Sequence, residues 1–279
     1  YQLCIFNMMS NCSYDFCRVY PHLFNKSNLL TEHEMKVDEW VFMSSPYPVL
    51  GLVVAYLYFV LSLGPRYMAT QKPYEIRNFM MAYNIFQVVY NARIFLQLFM
   101  VEGALWYLSN HTCHPMPTIM NPLKYVFFSN SWYYFISKVI DLLDTVFFVV
   151  RRKQSHVTFL HVYHHTVMVL STWIFLKYVR GEQVVAVGLV NSFVHVCMYS
   201  YYFLSSLGPA VQPYLWWKPY ITRLQLAQFV FVVTFLLSLM LRDCDIPQFF
   251  VTYMTLNGFV FLYLFTKFYI NAYTKKKIT

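Results

Sequence analysis

The chain has 279 residues, of which 58% are hydrophobic, 21% aromatic and only 12% charged. A soluble domain carries about twice that share of charged residues, so the composition excludes an ordinary water-soluble domain. The net charge of +9 would suggest nucleic acid in a soluble chain. Here the basic residues flank apolar runs, which favours anchoring at a membrane surface and predicts no nucleic-acid partner.

Seven apolar runs approach or exceed the roughly 20 residues that cross a bilayer as a helix. In chain order they cover residues 49–63, 79–101, 125–150, 157–176, 184–207, 221–241 and 249–270. We therefore predict an all-α integral membrane protein with about seven transmembrane helices. The predicted divisions are a tail at 1–44, a transmembrane catalytic domain at 45–273 and a second tail at 274–279.

The basic clusters predict the orientation of these spans, because cytosolic loops are enriched in Lys and Arg. Alternate loops carry Arg66, Lys72 and Arg77; Arg151, Arg152 and Lys153; Lys218 and Arg223; and Lys275, Lys276 and Lys277. The N-terminus and the loops near 102–122, 178–183 and 242–247 then become lumenal. Three glycosylation sequons, at Asn11, Asn25 and Asn110, fall in these lumenal segments, which supports a lumenal N-terminus and a cytosolic C-terminus.

A short pattern occurs twice along the chain. Ser-Leu-Gly-Pro at 62–65 is followed by Lys-Pro-Tyr at 72–74, and the same two motifs return at 206–209 and 218–220. Gly-Pro is predicted to end the preceding helix at both places. Either the match is a coincidence of short motifs, or it indicates an inverted repeat of three spans plus three, an architecture that places a site at the repeat interface.

Polar side chains inside the predicted spans are costly in a bilayer and are therefore functional candidates. Measured from the predicted cytosolic ends at ~1.5 Å per residue, those on the third to sixth spans lie about 8–18 Å deep. Helices that run in alternating directions thus place polar groups at one level, which predicts a shared polar chamber in the cytosolic half of the membrane. The residues concerned are Asn84, Asn91 and Arg93; Lys138, Asp141 and Asp144; His161, His164 and His165; Asn191 and His195; and Gln225 and Gln228.

The His-x-x-His-His box at 161–165 has two chemical interpretations. Imidazoles on one helix face can hold a metal ion, or a neutral imidazole can act as a base or nucleophile. A di-iron enzyme that uses only histidine ligands needs about eight, and four of the nine histidines fall on the predicted lumenal side: His22, His33, His111 and His114. A zinc hydrolase assisted by Asp141 or Asp144 remains open at this point, as does a transporter.

Four motifs resemble those of the very-long-chain fatty acid elongases, in the order in which that family has them. They lie at 138–145 (KVIDLLDT), 160–165 (LHVYHH), 191–202 (NSFVHVCMYSYY) and 222–229 (TRLQLAQF). The resemblance covers about residues 35–275 and is closest to the animal branch that handles saturated and monounsaturated chains. One position departs from the pattern, because the family usually has Glu where this chain has Asp141.

The resemblance implies a 3-oxoacyl-CoA synthase, which condenses an acyl-CoA with malonyl-CoA and needs no bound cofactor or metal. Spans two to seven would form a ring of six helices around a closed acyl tunnel. His164 would attack the thioester with His195 assisting, while His161 and His165 complete the box. Expected partners are the lipid bilayer, the ketoreductase, dehydratase and enoyl reductase of the elongation cycle, and a second copy of the chain.

The remaining candidate residues follow from the same assignment. Asn191 and Gln228 would join His195 in stabilising the enolate formed from malonyl-CoA, and basic residues at the cytosolic mouth would bind the CoA phosphates. The predicted substrate-binding set is Lys138, Asp141, Asp144, Arg151, Arg152, Lys153, Gln225, Tyr199 and Tyr202.

Two further predictions concern the ends of the molecule. Lys276 and Lys277 resemble a dilysine signal for retrieval to the endoplasmic reticulum, although ordinary juxtamembrane charge would give the same pattern. Cys113 and Cys244 lie in predicted lumenal loops, where oxidation is permitted, and the elongase branch has cysteines in both. We predict a disulfide between them, with free thiols or pairing to a tail cysteine as the alternatives.

Overall fold

The computed structural model describes residues 15, 19–23, 37–117 and 121–274, and within these ranges it contains helices and no β-strand. The helices are α1 (Tyr47–Tyr58), α2 (Gly64–Thr70), α3 (Arg77–Met100), α4 (Ala104–His111), α5 (Lys124–Val150), α6 (Phe159–Ile174), α7 (Val185–Ser206), α8 (Lys218–Leu241) and α9 (Gln248–Tyr269). Short π-helical segments extend α1, α6 and α9 at Phe59–Leu63, Phe175–Val179 and Ile270–Thr274.

Five helical stretches of the described chain are long and apolar enough to cross a membrane: Tyr47–Thr70, Phe159–Val179, Val185–Ser206, Lys218–Leu241 and Gln248–Thr274. A sixth span forms if α3 and α4, which meet at an angle of 81°, are taken together. α5 has 27 residues but carries four charged side chains, so it falls outside this group. All seven predicted apolar runs are therefore helical, and the prediction of an all-α membrane protein is confirmed with five to six candidate spans.

The prediction that Gly-Pro ends the preceding helix is correct at one copy of the repeated motif and wrong at the other. α7 ends at Ser206, and Gly208 adopts a positive φ of 110°. By contrast, Gly64 and Pro65 begin α2, which continues directly from α1 through the π-helical turn. Proline is tolerated there because the first turn of a helix does not use its own N–H groups, and the π-helical turn before it adjusts the hydrogen bonding.

Six helices contact one another in a cyclic order. α3 packs against α7, α7 against α8, α8 against α9, α9 against α6, α6 against α5, and α5 returns to α3. α1 and α2 contact α6 and α5 respectively and take no part in the cycle. Gly64 allows the close approach of α2 to α5, because a Cβ atom at this position would lie 2.6 Å from Val149 Cγ1.

The loops predicted to share one side of the membrane do meet. At the predicted cytosolic end, Arg77 Nε donates to the Ser206 carbonyl at 2.9 Å, and Tyr74 N donates to the Val150 carbonyl at 3.1 Å. At the opposite end, a disulfide joins Cys113 to Cys244 across 131 residues of sequence. The structure thus brings the bent α3–α4 pair to the loop between α8 and α9.

The segment before α1 docks on the predicted lumenal end of α5 and α6. Val37 and Met43 are fully buried, and Trp173 Nε1 donates to the Phe42 carbonyl at 2.8 Å. Asp38 accepts a hydrogen bond from Lys177 Nζ at 2.6 Å, and this bond, reinforced by Arg180, holds the pKa of Asp38 below its ordinary value of 3.8. The last residues of the predicted tail are therefore packed against the transmembrane helices. Three groups of residues lie outside the described residues: the tail cysteines Cys4, Cys12 and Cys17, the sequons at Asn11 and Asn25, and the predicted retrieval lysines Lys276 and Lys277.

Candidate active site

A buried ion pair lies near the middle of α5. Lys138 and Asp141 are one helical turn apart, and Lys138 Nζ lies 3.0 Å from Asp141 Oδ2. Both side chains are only 2% exposed. Taking two charges out of water is expensive unless further hydrogen bonds satisfy them, so the surroundings of this pair decide whether it is tolerated.

Two other helices supply those partners. From α3, Gln87 Nε2 donates to Asp141 Oδ1 at 2.7 Å. From α7, the Tyr199 hydroxyl lies 2.9 Å from the same oxygen and 2.7 Å from Asp144 Oδ2. The two carboxyl groups of α5 are thus bridged by one phenol, which itself is fully buried.

His195 of α7 faces both members of the ion pair. Its Nε2 lies 3.4 Å from Lys138 Nζ, and its Nδ1 lies 3.5 Å from Asp141 Oδ2. Nδ1 is buried without a hydrogen-bond partner in the described part of the chain. One turn earlier, Asn191 Oδ1 accepts hydrogen bonds from Lys138 Nζ at 2.9 Å and from the Tyr134 hydroxyl at 2.9 Å. Since the amide oxygen is used, its NH₂ group remains available to a ligand.

The histidine box occupies the first turns of α6. Thr158 caps this helix, because its hydroxyl accepts a hydrogen bond from the His161 backbone N–H at 3.3 Å. His161 and His165 share a helix face, and their ring centroids lie 4.3 Å apart. His161 Nε2 is buried and has no hydrogen-bond partner among the described residues.

His164 points to a different side of α6 from the other two histidines. Its ring packs in an aromatic setting, with centroid distances of 5.0 Å to Phe261, 6.1 Å to Phe265 and 6.5 Å to Phe229. These contacts come from α8 and α9 and fix the ring mainly by packing. An imidazole held in this way keeps its nitrogens free for chemistry.

An apolar cavity adjoins the polar cluster. Tyr134, which donates to Asn191, lines one end of it together with Met168, one turn after His164 on α6. The cavity continues along the helices to Phe175, Val184 and Phe250 near their predicted lumenal ends. Gly188 contributes to its width, because a Cβ there would touch the Tyr134 ring at 3.5 Å. An apolar cavity of this kind can hold the hydrocarbon part of a ligand.

Some predicted site residues lie apart from this cluster. Gln225 Nε2 contacts Met198 Sδ at 3.5 Å, and Tyr202 is 40% exposed, with its ring 6.0 Å from that of Tyr199. Gln228 is buried on α8. The three basic residues follow the end of α5, at the predicted cytosolic mouth. Arg151 Nη1 contacts Met80 Sδ at 3.3 Å, and Arg152 Nη1 donates to the Gln71 carbonyl at 3.2 Å. Lys153 is exposed.

Two members of the cluster were missed by sequence reasoning. Gln87 lies three residues after Asn84 and four before Asn91, so the polar stripe of α3 was visible in the spacing and included it. Tyr134 carried no such signal, because the chain contains 25 tyrosines and position 134 stands among several aromatic residues. Within the described ranges, no three His, Cys, Asp or Glu side chains converge in a way that could hold a metal ion.

The fold is that of a multi-pass membrane protein, because its apolar helices are long enough to cross a membrane and contact one another in a cycle. It has an internal polar site, where histidine, lysine and carboxylate side chains lie buried beside an apolar cavity. The ELO family, described as GNS1/SUR4, matches residues 41–279, and the chain belongs to this family.

Curated relatives give the same assignment. The chain is 39% identical to a very long chain fatty acid elongase of Aedes aegypti, over 87% of this chain and 67% of that protein. It is 38% identical to very long chain fatty acid elongase 7 of Rattus norvegicus, over 89% of this chain and 88% of that protein. It is also 38% identical to human very long chain fatty acid elongase 4, over 88% of this chain and 77% of that protein. The family predicted from the four motifs is therefore confirmed.

Proposed function

We propose that this protein condenses a long-chain acyl-CoA with malonyl-CoA to give a 3-oxoacyl-CoA two carbons longer, with release of CO₂ and CoA. The observation that carries the proposal is the apolar cavity that reaches the polar cluster through Tyr134. The elongases to which the chain is similar support the same reaction. No resident cofactor is needed, because both substrates arrive as activated thioesters.

The cyclic contact order of α3, α7, α8, α9, α6 and α5 supports a ring of six helices around a closed tunnel, with α1 outside it. In this arrangement the acyl tail lies in the cavity, and each buried methylene contributes about 0.8 kcal/mol to binding. The disulfide and the packed loops close the lumenal end. The two halves of the ring are proposed to be inverted repeats. α5 is proposed to be a membrane span despite its charged side chains, because Lys138 and Asp141 face the interior of the protein.

His164 is proposed to attack the acyl thioester. Its ring packs against Phe261 inside the membrane helices, and the neutral, nucleophilic imidazole is the proposed reacting form. The product is an acyl-imidazole and free CoA, which leaves before malonyl-CoA enters by the same mouth. His161 and His165, whose ring centroids lie 4.3 Å apart on one face of α6, are proposed to complete the box.

His195 and Asn191 are proposed to act on malonyl-CoA. Loss of its carboxylate as CO₂ creates an enolate, which needs donors already in place where the negative charge develops. The Asn191 NH₂ group and the N–H of a neutral His195 fit this task, and Gln228 is the third candidate donor. Lys138 orients both residues, because it donates to Asn191 Oδ1 and faces His195 Nε2.

The remaining features of the proposal concern location and partners. Arg151, Arg152 and Lys153 bind CoA phosphates at a cytosolic mouth, which requires the N-terminus in the lumen and the C-terminus in the cytosol. The endoplasmic reticulum is the proposed membrane, with Lys276 and Lys277 as the retrieval signal. The proposed partners are the ketoreductase, dehydratase and enoyl reductase that process the product, and a second copy of the chain.

The test is to measure radiolabelled malonyl-CoA incorporation by microsomes that contain the full-length protein, with a panel of acyl-CoAs of increasing length. His164→Ala and His195→Ala should each abolish incorporation at equal expression. Intact-mass measurement after incubation with acyl-CoA alone should show an acyl adduct in the wild type and none in His164→Ala.

His114→Ala is the matched control, because His114 is an exposed histidine that pairs with Asp245 at the opposite end of the molecule. This variant should incorporate malonyl-CoA at the wild-type rate. Near-normal incorporation by either active-site variant would refute the assignment of its histidine.

A further inference from the structure

The Tyr199 hydroxyl raises a question of proton count. It lies within hydrogen-bond distance of two carboxyl oxygens, Asp141 Oδ1 at 2.9 Å and Asp144 Oδ2 at 2.7 Å. A phenol has one proton, so it donates to only one of them. The other contact is a hydrogen bond only if that carboxyl carries a proton of its own. The geometry therefore requires one protonated carboxyl beside Tyr199.

The partners of the two carboxyl groups show which of them holds the proton. Asp141 accepts from Lys138 Nζ at 3.0 Å and from Gln87 Nε2 at 2.7 Å, and both of these are donors only. Such a set of donors stabilises the ionised form of Asp141. Asp144 has no cationic partner within the described residues, so it is the carboxyl that donates to the Tyr199 oxygen.

We propose that Asp144 stores the proton that the condensation consumes, and that Tyr199 passes it toward the Lys138–Asp141 pair and His195. This inference rests on the proposed function. It gives a role to two residues that the acyl transfer itself does not use, and it makes them relay residues that act through His195.

The proton balance of the proposed reaction requires such a supply. In the first half, a C–N bond forms at His164, the thioester C–S bond breaks, and the ring proton leaves with the CoA thiolate. In the second half, CO₂ departs, the enolate carbon bonds to the acyl carbon, and the C–N electron pair returns to the imidazole. That nitrogen must then take up one proton, so the demand falls entirely in the second half.

Close contacts connect Asp144 to His195 through Tyr199, Asp141 and Lys138, and the proposed transfer from His195 to His164 completes the route. Asp144 protonates Tyr199 as Tyr199 gives its own proton to Asp141. Neutral Asp141 leaves the Lys138 ammonium without a counter-charge, so Lys138 gives a proton to His195 Nε2, which lies 3.4 Å away. His195 passes it to the reacting imidazole, and Asp141 returns its proton to Lys138. The net transfer is one proton from Asp144.

Refilling of the store is possible from the cytosolic side. Asp144 lies six residues before the end of α5, or about 9 Å from it. Its side chain is partly exposed, whereas Asp141 and Tyr199 are buried. The relay thus runs from the more accessible carboxyl to the enclosed histidine.

The experiment separates the two half-reactions of purified full-length protein in detergent. Tyr199→Phe removes the bridging hydroxyl and keeps the ring, and Asp144→Asn removes the acid and keeps the shape. Release of CoA from acyl-CoA without malonyl-CoA reports the first half. Formation of 3-oxoacyl-CoA from preloaded protein, in H₂O and in D₂O, reports the second.

Both variants should slow the second half by about a hundredfold or more, the usual contribution of a positioned proton donor, and leave the first half and both KM values unchanged. D₂O should slow the second half in the wild type. Tyr201→Phe is the matched control, because Tyr201 lies on the same helix as Tyr199 but its ring packs against Trp217, just before α8. This variant should behave as the wild type.

Several results would overturn the relay. One is a second half-reaction that runs at the wild-type rate in Tyr199→Phe or Asp144→Asn. Another is an equal fall in the rates of both half-reactions, which would indicate a structural role. If Tyr199→Phe is not recovered in folded form, Asp144→Asn decides. Absence of any acyl adduct in the wild type would instead contradict the proposed acyl-imidazole, and the steady-state rates of the same variants would still test the relay.

Discussion

Two buried ion pairs involve residues of α5 and have the same nitrogen–oxygen distance, but they differ in the groups that surround them. Lys138–Asp141 and Lys124–Glu182 both have a nitrogen–oxygen distance of 3.0 Å and are at most 9% exposed. The first lies within one helical turn and faces His195. The second joins the start of α5 to the loop before α7, where Asn121 also donates to Glu182 Oε1 at 2.8 Å.

The difference lies in what each pair holds in place. Lys124–Glu182 connects two segments of the chain, and its other oxygen, Glu182 Oε2, has no hydrogen-bond partner in the described part of the structure. Lys138–Asp141 connects nothing by itself, because both residues belong to one helix, yet polar groups from α3 and α7 converge on it. Burial of an ion pair is thus a weak indication of its role, and its neighbours give the stronger one.

The largest expected effect comes from breaking the central pair. Lys138→Met removes the donor to Asn191 and His195, so we expect condensation to fall by about a hundredfold to a thousandfold, as for the loss of a preorganised donor. The measurement is malonyl-CoA incorporation at equal amounts of folded protein. A Lys138→Met variant that is fully active would show that the two pairs do not differ in function.

Breaking the Lys124–Glu182 pair should affect stability and spare the chemistry. Lys124→Met leaves Glu182 buried and unpaired, which costs about 3–5 kcal/mol. Thermal unfolding in detergent should show the loss, while the turnover number of the folded fraction stays close to that of the wild type. The double variant Lys124→Met, Glu182→Gln should recover most of the stability, since it buries no unpaired charge.

Removing the disulfide tests whether the end of the molecule that contains Lys124–Glu182 is held by more than this ion pair. Replacing Cys113 and Cys244 by Ser opens a loop of 131 residues, and we expect a loss of about 2–4 kcal/mol. Melting temperatures of the wild type and the variant, with and without reductant, measure it. Reductant should lower the melting temperature of the wild type only, and an equal response of both proteins would contradict the assignment.

Substitutions at residue 141 test how strictly the Lys138–Asp141 pair depends on the length and charge of its carboxylate. Glu is the residue expected there from the elongase resemblance, and Asp141→Glu extends the carboxylate by one methylene. Because Asp141 Oδ1 is held by Gln87 at 2.7 Å and Tyr199 at 2.9 Å, we expect a moderate loss of about tenfold, or 1.4 kcal/mol. Asp141→Asn keeps the length and removes the charge, and it should lose far more activity.

The smallest effect is expected at the exposed pair between Asp38 and Lys177. The pKa of Asp38 lies below its ordinary value of 3.8 because Lys177 donates to it, so its contribution is present above that pH and is lost as the pH falls further. Since Asp38 is 54% exposed, solvent screening limits the contribution to about 1 kcal/mol or less. Stability measured between pH 6 and about 3 should fall more in the wild type than in Asp38→Asn.

The sequence determined the membrane class, the positions of the helices and the family. Each of these depends on a local property, such as the length of an apolar run or a motif on one helix, and the structure places a helix at all seven runs. The polar residues Lys138, Asp141 and His195 were likewise identified from their cost inside a span.

Only the tertiary structure decided how those residues meet. Gln87, Tyr134 and the double contact of Tyr199 depend on how α3, α5 and α7 are rotated about their axes, which no local pattern records. The same holds for the helix that continues through Gly64 and Pro65, where packing against Val149 decides the outcome. Helix rotation is set by the fit of side chains from distant parts of the chain, and that fit exists only once the helices have packed.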